Sequence, residues 1–125
     1  MTMFLFTAWK PSFLGVGFGP FYLFKESQAR LPCKPLGEPQ PSVKWFKDGT
    51  AVSYGQSSSF KLEADGTLLV TKVTDGVGGT YTCMAQNFLG KTSATAPGIL
   101  LGKRNYMKKT IGVVLAKVNV KSRYL

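Results

Sequence analysis

Four residues constrain what this 125-residue chain can fold into more than anything else in it: Cys33, Trp45, Tyr81 and Cys83. Trp45 follows Cys33 by 12 positions, Cys83 follows it by 50, and Tyr81 stands two before Cys83. The segments around them read as short strands. Ala29, Leu31 and Cys33 alternate with Gln28, Arg30 and Pro32, the pattern of a strand with one buried face. Gly37, Pro39 and Pro41 form a turn-rich stretch that cannot be a central strand, because proline brings no N–H to a ladder. Val43 and Trp45 then point to one side and Lys44 and Phe46 to the other, before Asp48-Gly49 reverses the chain. Phe60 and Leu62 alternate with Lys61 and Glu63, Asp65-Gly66 makes a second turn, and Leu68, Val70 and Val73 supply the next buried face. Tyr81, Cys83 and Ala85 share one face of the last core strand, and Gly90 turns the chain into Lys91–Ala96. Short strands with turn signals about every 8–12 residues predict an all-β sandwich.

Between about Glu26 and Ala96 the chain resembles an I-set (intermediate) immunoglobulin domain. The residues that carry the resemblance are Cys33, Gly37-Glu38-Pro39-Gln40-Pro41, Trp45-Phe46-Lys47-Asp48-Gly49, Asp65-Gly66-Thr67-Leu68, Gly79-Thr80-Tyr81-Thr82-Cys83 and Ala85-Gln86-Asn87-Phe88-Leu89-Gly90. They cover a little over half of the chain. The resemblance implies an immunoglobulin-like Greek-key β-sandwich. It implies a disulfide between Cys33 and Cys83 joining the two sheets, Trp45 packed against it, Leu68 in the core, and Tyr81 as the tyrosine-corner residue. On this basis residues 21–97 form the domain, with Phe21–Lys25 as its first edge strand. Residues 1–20 are then an aromatic-rich flank and 98–125 a basic tail, both irregular.

The chain departs from the family pattern in one place. Members usually carry Asp four residues before the tyrosine, where this chain has Val77. That carboxylate supports the turn into the last core strand by pairing with a basic residue, and Asp75 lies two positions early. Gly76, Gly78 and Gly79 add backbone freedom that folding must remove from the same turn. The expectation is a sandwich less stable than its relatives. A sandwich of about 70 residues has a small core that needs a staple. A disulfide closing a loop of roughly 50 residues contributes about 2–4 kcal/mol. Both cysteines of the chain sit at the motif positions, so no spare thiol is left. Oxidised, they point to an extracellular or cell-surface setting. The alternative is an intracellular muscle or cytoskeletal scaffolding domain of the same kind, in which both stay reduced as small buried apolar groups.

Charge is concentrated at one end. Of the net +10, the tail holds Lys103, Arg104, Lys108, Lys109, Lys117, Lys121 and Arg123 with no acid, whereas residues 21–97 carry eight basic and six acidic side chains. A third reading is therefore nucleic-acid or anionic-lipid binding through the tail, since each cation near an anionic surface contributes about 1 kcal/mol. Against it, no five to eight basic residues run consecutively, and only Tyr106 and Tyr124 could stack on bases. Ile111–Ala116 is too short to span a bilayer, which takes about 20 residues. The alternation at Val118-Asn119-Val120-Lys121 permits one more strand on a sheet edge.

Half of the aromatic residues lie in the first 24 positions. A secretory signal fits them poorly, because no basic residue starts the segment, Lys10-Pro11 interrupts it, and no small-x-small site precedes Glu26. A spanning helix is opposed by Lys10, Pro11, Gly15, Gly17, Gly19 and Pro20. The segment reads instead as flanking sequence outside any folded unit. Gly15-Val16-Gly17-Phe18-Gly19 is not a phosphate loop, since Pro20 and aromatics follow where a helix would have to start.

The composition argues against catalysis. With no histidine there is neither a Ser-His-Asp triad nor a histidine metal site, and two cysteines alone cannot complete a zinc shell. No cofactor, metal or small-molecule substrate is expected. Asn87, Asn105 and Asn119 all lack the downstream Ser/Thr of a glycosylation sequon. The reading is a non-enzymatic protein–protein interaction module. The resemblance implies a cell-adhesion, receptor or matrix protein whose partners are other proteins. Candidate contacts are the residues that alternation turns outward, Lys44, Phe46 and Lys61, and Phe88 in the last hairpin; Phe88 with Leu89 alternatively caps the sandwich end.

Overall fold

The computed structural model describes residues 7–13 and 17–103. Among the described residues ten strands form three sheets. A five-stranded sheet runs in the order β2 (Phe21–Phe24), β10 (Gly90–Leu101), β9 (Gly79–Asn87), β5 (Ser42–Lys47), β6 (Thr50–Ala51). A three-stranded sheet runs β3 (Ala29–Leu31), β8 (Leu68–Val70), β7 (Phe60–Leu62), and β1 (Trp9–Ser12) pairs with β4 (Leu36–Glu38). All pairings are antiparallel except β2 with β10, where Phe21 to Phe24 lie opposite Gly98 to Leu101. Phe21–Lys25 thus supplies the expected edge strand, and the all-β sandwich is observed.

Local chemistry sets the turns. Asp48 (φ 50°) and Gly49 (φ 84°) both adopt left-handed backbone, the two-residue hairpin connection whose twist matches that of the strands. At Gly66 (φ +95°) a side chain would also meet Val43 Cγ2 at 3.1 Å and the Cys33 carbonyl at 3.2 Å.

The core lies between the sheets and is built from the inward halves of the alternating strands. Leu23, Leu31, Trp45, Leu68, Val70, Val73, Tyr81, Cys83 and Ala85 are fully buried. Each fully buried aliphatic or aromatic side chain stabilises the fold by about 1.5–3 kcal/mol. Leu62 alternates in step with Phe60, yet it is 41% exposed. It ends the edge strand β7, which has a neighbour on one side only, so nothing covers it.

Strands are found on both sides of residues 21–97. Strand β10 continues to Leu101, and β1 arises inside the flank assigned to residues 1–20. The flank's aromatics have a job: Phe18 stacks on Trp45 at 5.9 Å and meets Phe21 edge-on at 5.1 Å, with Phe13 6.2 Å behind it. The Phe13 and Phe18 rings pack against the core and are thereby partly removed from water. The tail assignments to Arg104, Tyr106, Lys108, Lys109, Ile111–Ala116, Lys117, Val118–Lys121, Arg123 and Tyr124 lie outside the described residues.

The turn expected to be loose has a different anchor. Asp75–Val77 forms a 3-10 turn, with the Val77 N–H donating to Thr74 O at 3.2 Å. Val77 is 4% exposed and belongs to the core, so an apolar side chain stands where the family usually has a carboxylate. Asp75 instead pairs with Lys25 across 2.7 Å on the surface.

Candidate interaction surface

The centre of the sandwich is a closed structural unit. Cys33 and Cys83 are bonded, with Cα atoms 6.4 Å apart, and both are buried. Trp45 lies opposite Cys83 in the β5–β9 ladder, and its Nε1–H donates to Gly66 O at 2.8 Å, which satisfies the one polar atom of a buried indole. Tyr81 sends its hydroxyl to Val77 O at 2.5 Å. Burial, and secondarily the Asp48 carboxylate, hold the Tyr81 phenol far above its ordinary range. No polar side chain here is left free for chemistry. Among the described residues no cluster of three or more His, Cys, Asp or Glu could hold a metal ion, and no helix is long and apolar enough to cross a membrane.

What the domain can present is its surface. Lys44 and Phe46 stand on the outer face of the five-stranded sheet, with Lys44 Nζ 5.7 Å from the centre of the Phe46 ring. Opposite them in the ladder are Met84 and Thr82, and beyond these Ser93 and Thr95 on β10. The Thr82 and Thr95 hydroxyls share a hydrogen bond of 3.0 Å. Lys61 is not part of this face. It lies on β7 in the other sheet, beside Leu69. Phe88 is separate again, at the β9–β10 hairpin, where it is 74% exposed beside Leu89 at 42%. The two side chains stand open to solvent rather than capping the end.

Sequence reasoning missed the residue that organises this end. The Asn87 amide donates to Trp9 O (2.9 Å) and Pro39 O (3.1 Å), and its Oδ1 accepts from the Leu89 N–H (2.9 Å). One side chain thus shapes the hairpin and ties β1 and the segment after β4 to it. Asn next to a turn is a signal for the local bond to Leu89; the two long-range bonds leave no trace in spacing.

Among the described residues five ion pairs form, all at turns and edges or on the second sheet: Lys25–Asp75, Arg30–Glu63, Lys34–Asp65, Lys47–Asp48 and Lys103–Glu26. Asp48 is held below the ordinary carboxylate range chiefly by the Thr80 N–H, then by Lys47. Asp65 is lowered mainly by hydrogen bonds from Thr67, with Lys34 adding a smaller effect.

Two sheets face to face, a buried inter-sheet disulfide beneath an indole, and a tyrosine tied back to the turn before its strand define an immunoglobulin domain. The family model of the Immunoglobulin I-set domain matches residues 21–97, and the chain belongs to that family. Contactin-2 of Mus musculus is 34% identical over 90 residues, which make up 72% of this chain and 8% of contactin-2. Roundabout homolog 1 of Homo sapiens is 38% identical over 71 residues, 57% of this chain and 4% of that protein. The chain therefore spans less than a tenth of these relatives. Among solved structures, one of the titin M10–obscurin-like 1 Ig complex matches with a TM-score of 0.67 at 31% identity, covering 77% of this chain and 97% of that one.

Proposed function

We propose that the chain acts as a non-enzymatic interaction module, an oxidised immunoglobulin domain of a cell-adhesion, receptor or matrix protein outside the cell. The observation that carries this reading is the Cys33–Cys83 disulfide, which uses both cysteines of the chain and is buried between the sheets. Structural disulfides persist in oxidising compartments and are rare in the cytosol. The similarity to contactin-2 and Roundabout homolog 1 supports the same class. Lys44, Lys61 and Phe88 are exposed and Phe46 is half-buried, and the four are available for protein contacts on three separate parts of the surface.

The second reading is an intracellular scaffolding domain, favoured by the match to a chain of the titin M10–obscurin-like 1 Ig complex at 31% identity over 97% of that chain. Thiol titration of the denatured, unreduced protein from its native cells separates the two. The oxidised reading expects no reactive thiol, and two per chain overturn it.

A further inference from the structure

The outer face of the five-stranded sheet carries positive charge that nothing in this domain answers. Lys44 on β5 and Lys91 on β10 are exposed, and among the described residues neither has an ion pair. Register sets their spacing. Lys91 lies opposite Gln86, which lies opposite Ser42, two residues before Lys44. With strands about 4.8 Å apart, the two lysines stand roughly 10–12 Å from each other on one plane. The outward positions of β5, β9 and β10 are otherwise Ser42, Phe46, Thr80, Thr82, Met84, Gln86, Ser93, Thr95, Pro97 and Ile99, without one acid. None of the six acids of the sequence occupies an outward position of these three strands: five are in the ion pairs above, Asp48 among them at the β5–β6 turn with its carboxylate on the Thr80 N–H, and Glu38 is on β4.

We propose that this face docks an acidic protein surface and does not pair with a second copy of the chain. The proposal rests on the interaction-module reading and deepens it by naming the face and the partner's chemistry. A two-fold pairing of the face with itself would bring the Lys44–Lys91 patch against the same charges, and like-charge juxtaposition across an interface is unfavourable. Nor does any acidic patch of this domain lie free to complement it, since most of its carboxylates are already paired. The middle of the face suits a carboxylate-bearing protein rather than a nucleic acid or a sulfated glycan. Half-buried Met84 and Phe46 offer a modest apolar centre, Thr82, Thr95 and Ser93 offer hydroxyls, and lysines stand at two corners. Met and aromatic residues are enriched at the centres of protein interfaces, with charges at the rim. Nucleic acids and sulfated glycans are bound through many phosphate or sulfate contacts, which two lysines do not supply.

The test is an amide-shift titration of the full chain with poly-L-glutamate at about 0.15 M salt, where exposed charges more than ~8 Å apart are largely screened. Shifts are expected at Lys44, Phe46, Thr82, Met84, Lys91 and Ser93. The double charge reversal K44E/K91E is expected to weaken binding about tenfold, whereas the charge-matched K61E/K72E, away from this face, leaves it within about twofold. Three outcomes overturn the proposal: shifts confined to residues 104–125, equal losses in the two double variants, or binding to heparin with none to poly-L-glutamate. Sedimentation equilibrium adds a fourth, a wild-type dimer that K44E/K91E alters. Thiol titration reads independently of all these, so an oxidised chain whose face stays silent refutes this inference alone.

Discussion

Replacing Tyr81 by Phe isolates the contact that fastens the turn carrying Val77. The ring is fully buried, meets Phe60 edge-on at 6.3 Å, and stands over Gly98, where an added Cβ would come within 2.8 Å of it. Phenylalanine keeps that packing and removes only the hydroxyl, whose 2.5 Å bond reaches Val77 O. A net hydrogen bond contributes about 0.5–1.5 kcal/mol, and stranding a buried carbonyl raises the loss toward about 1–3 kcal/mol. Val77 is 4% exposed, so water does not readily replace the lost donor. The expected loss is about 2 kcal/mol. At roughly 4–8 °C per kcal/mol for a domain of this size, Tm falls by about 8–16 °C. Urea unfolding checks it, with a lower midpoint and an unchanged m-value. The same variant has a signature in alkali. The folded phenol has its pKa raised above the ordinary 10.0, so its contribution is complete below about pH 10 and is lost as pH rises beyond that. Removing the phenol should flatten the loss of stability above pH 10; Tyr54, raised by burial, retains part of the slope. A variant within about 0.5 kcal/mol of wild type refutes the reasoning, and would mean that Val77 packing alone holds the turn.

Two further outcomes follow from the same geometry. Asn87→Ala removes the amide that holds Trp9 O and Pro39 O, so amide exchange should quicken in Trp9–Ser12 and Leu36–Glu38 but not in β5 or β9, with about 1 kcal/mol lost overall; unchanged exchange in β1 would refute the role assigned to Asn87. Asp48 and Asp65 have depressed pKa values in the fold, so their stabilisation is present above the unfolded carboxylate range and disappears as pH falls through the lower folded values. Asp48→Asn should therefore make stability less steep in pH below about 4, which denaturant titrations across that range would read out.

The sequence alone determined the architecture. Alternation around Cys33, Trp45, Tyr81 and Cys83 is a local property of extended chain, because successive side chains point to opposite faces, and the spacing of turns divides it into strands. That is why the all-β sandwich was legible in the sequence, while the I-set family and the Cys33–Cys83 pair came through the resemblance that the motif residues carry. Tertiary structure alone decided everything that depends on which surfaces meet. Composition gave Phe13 and Phe18 no reason to belong to the domain, yet both pack against the core, Phe18 on the Trp45 ring, because the apolar surface they cover exists only once the strands have assembled. Leu62 obeys the alternation and is still exposed, since burial requires a neighbour and an edge strand has one on a single side. Val77 reads as a missing carboxylate in sequence and as a core residue in the fold. The same distinction separates the candidate contacts: alternation turns Lys44, Phe46 and Lys61 outward alike, but only the pairing of strands between sheets sets Lys44 beside Phe46 and Lys91 on one face and sends Lys61 to the other.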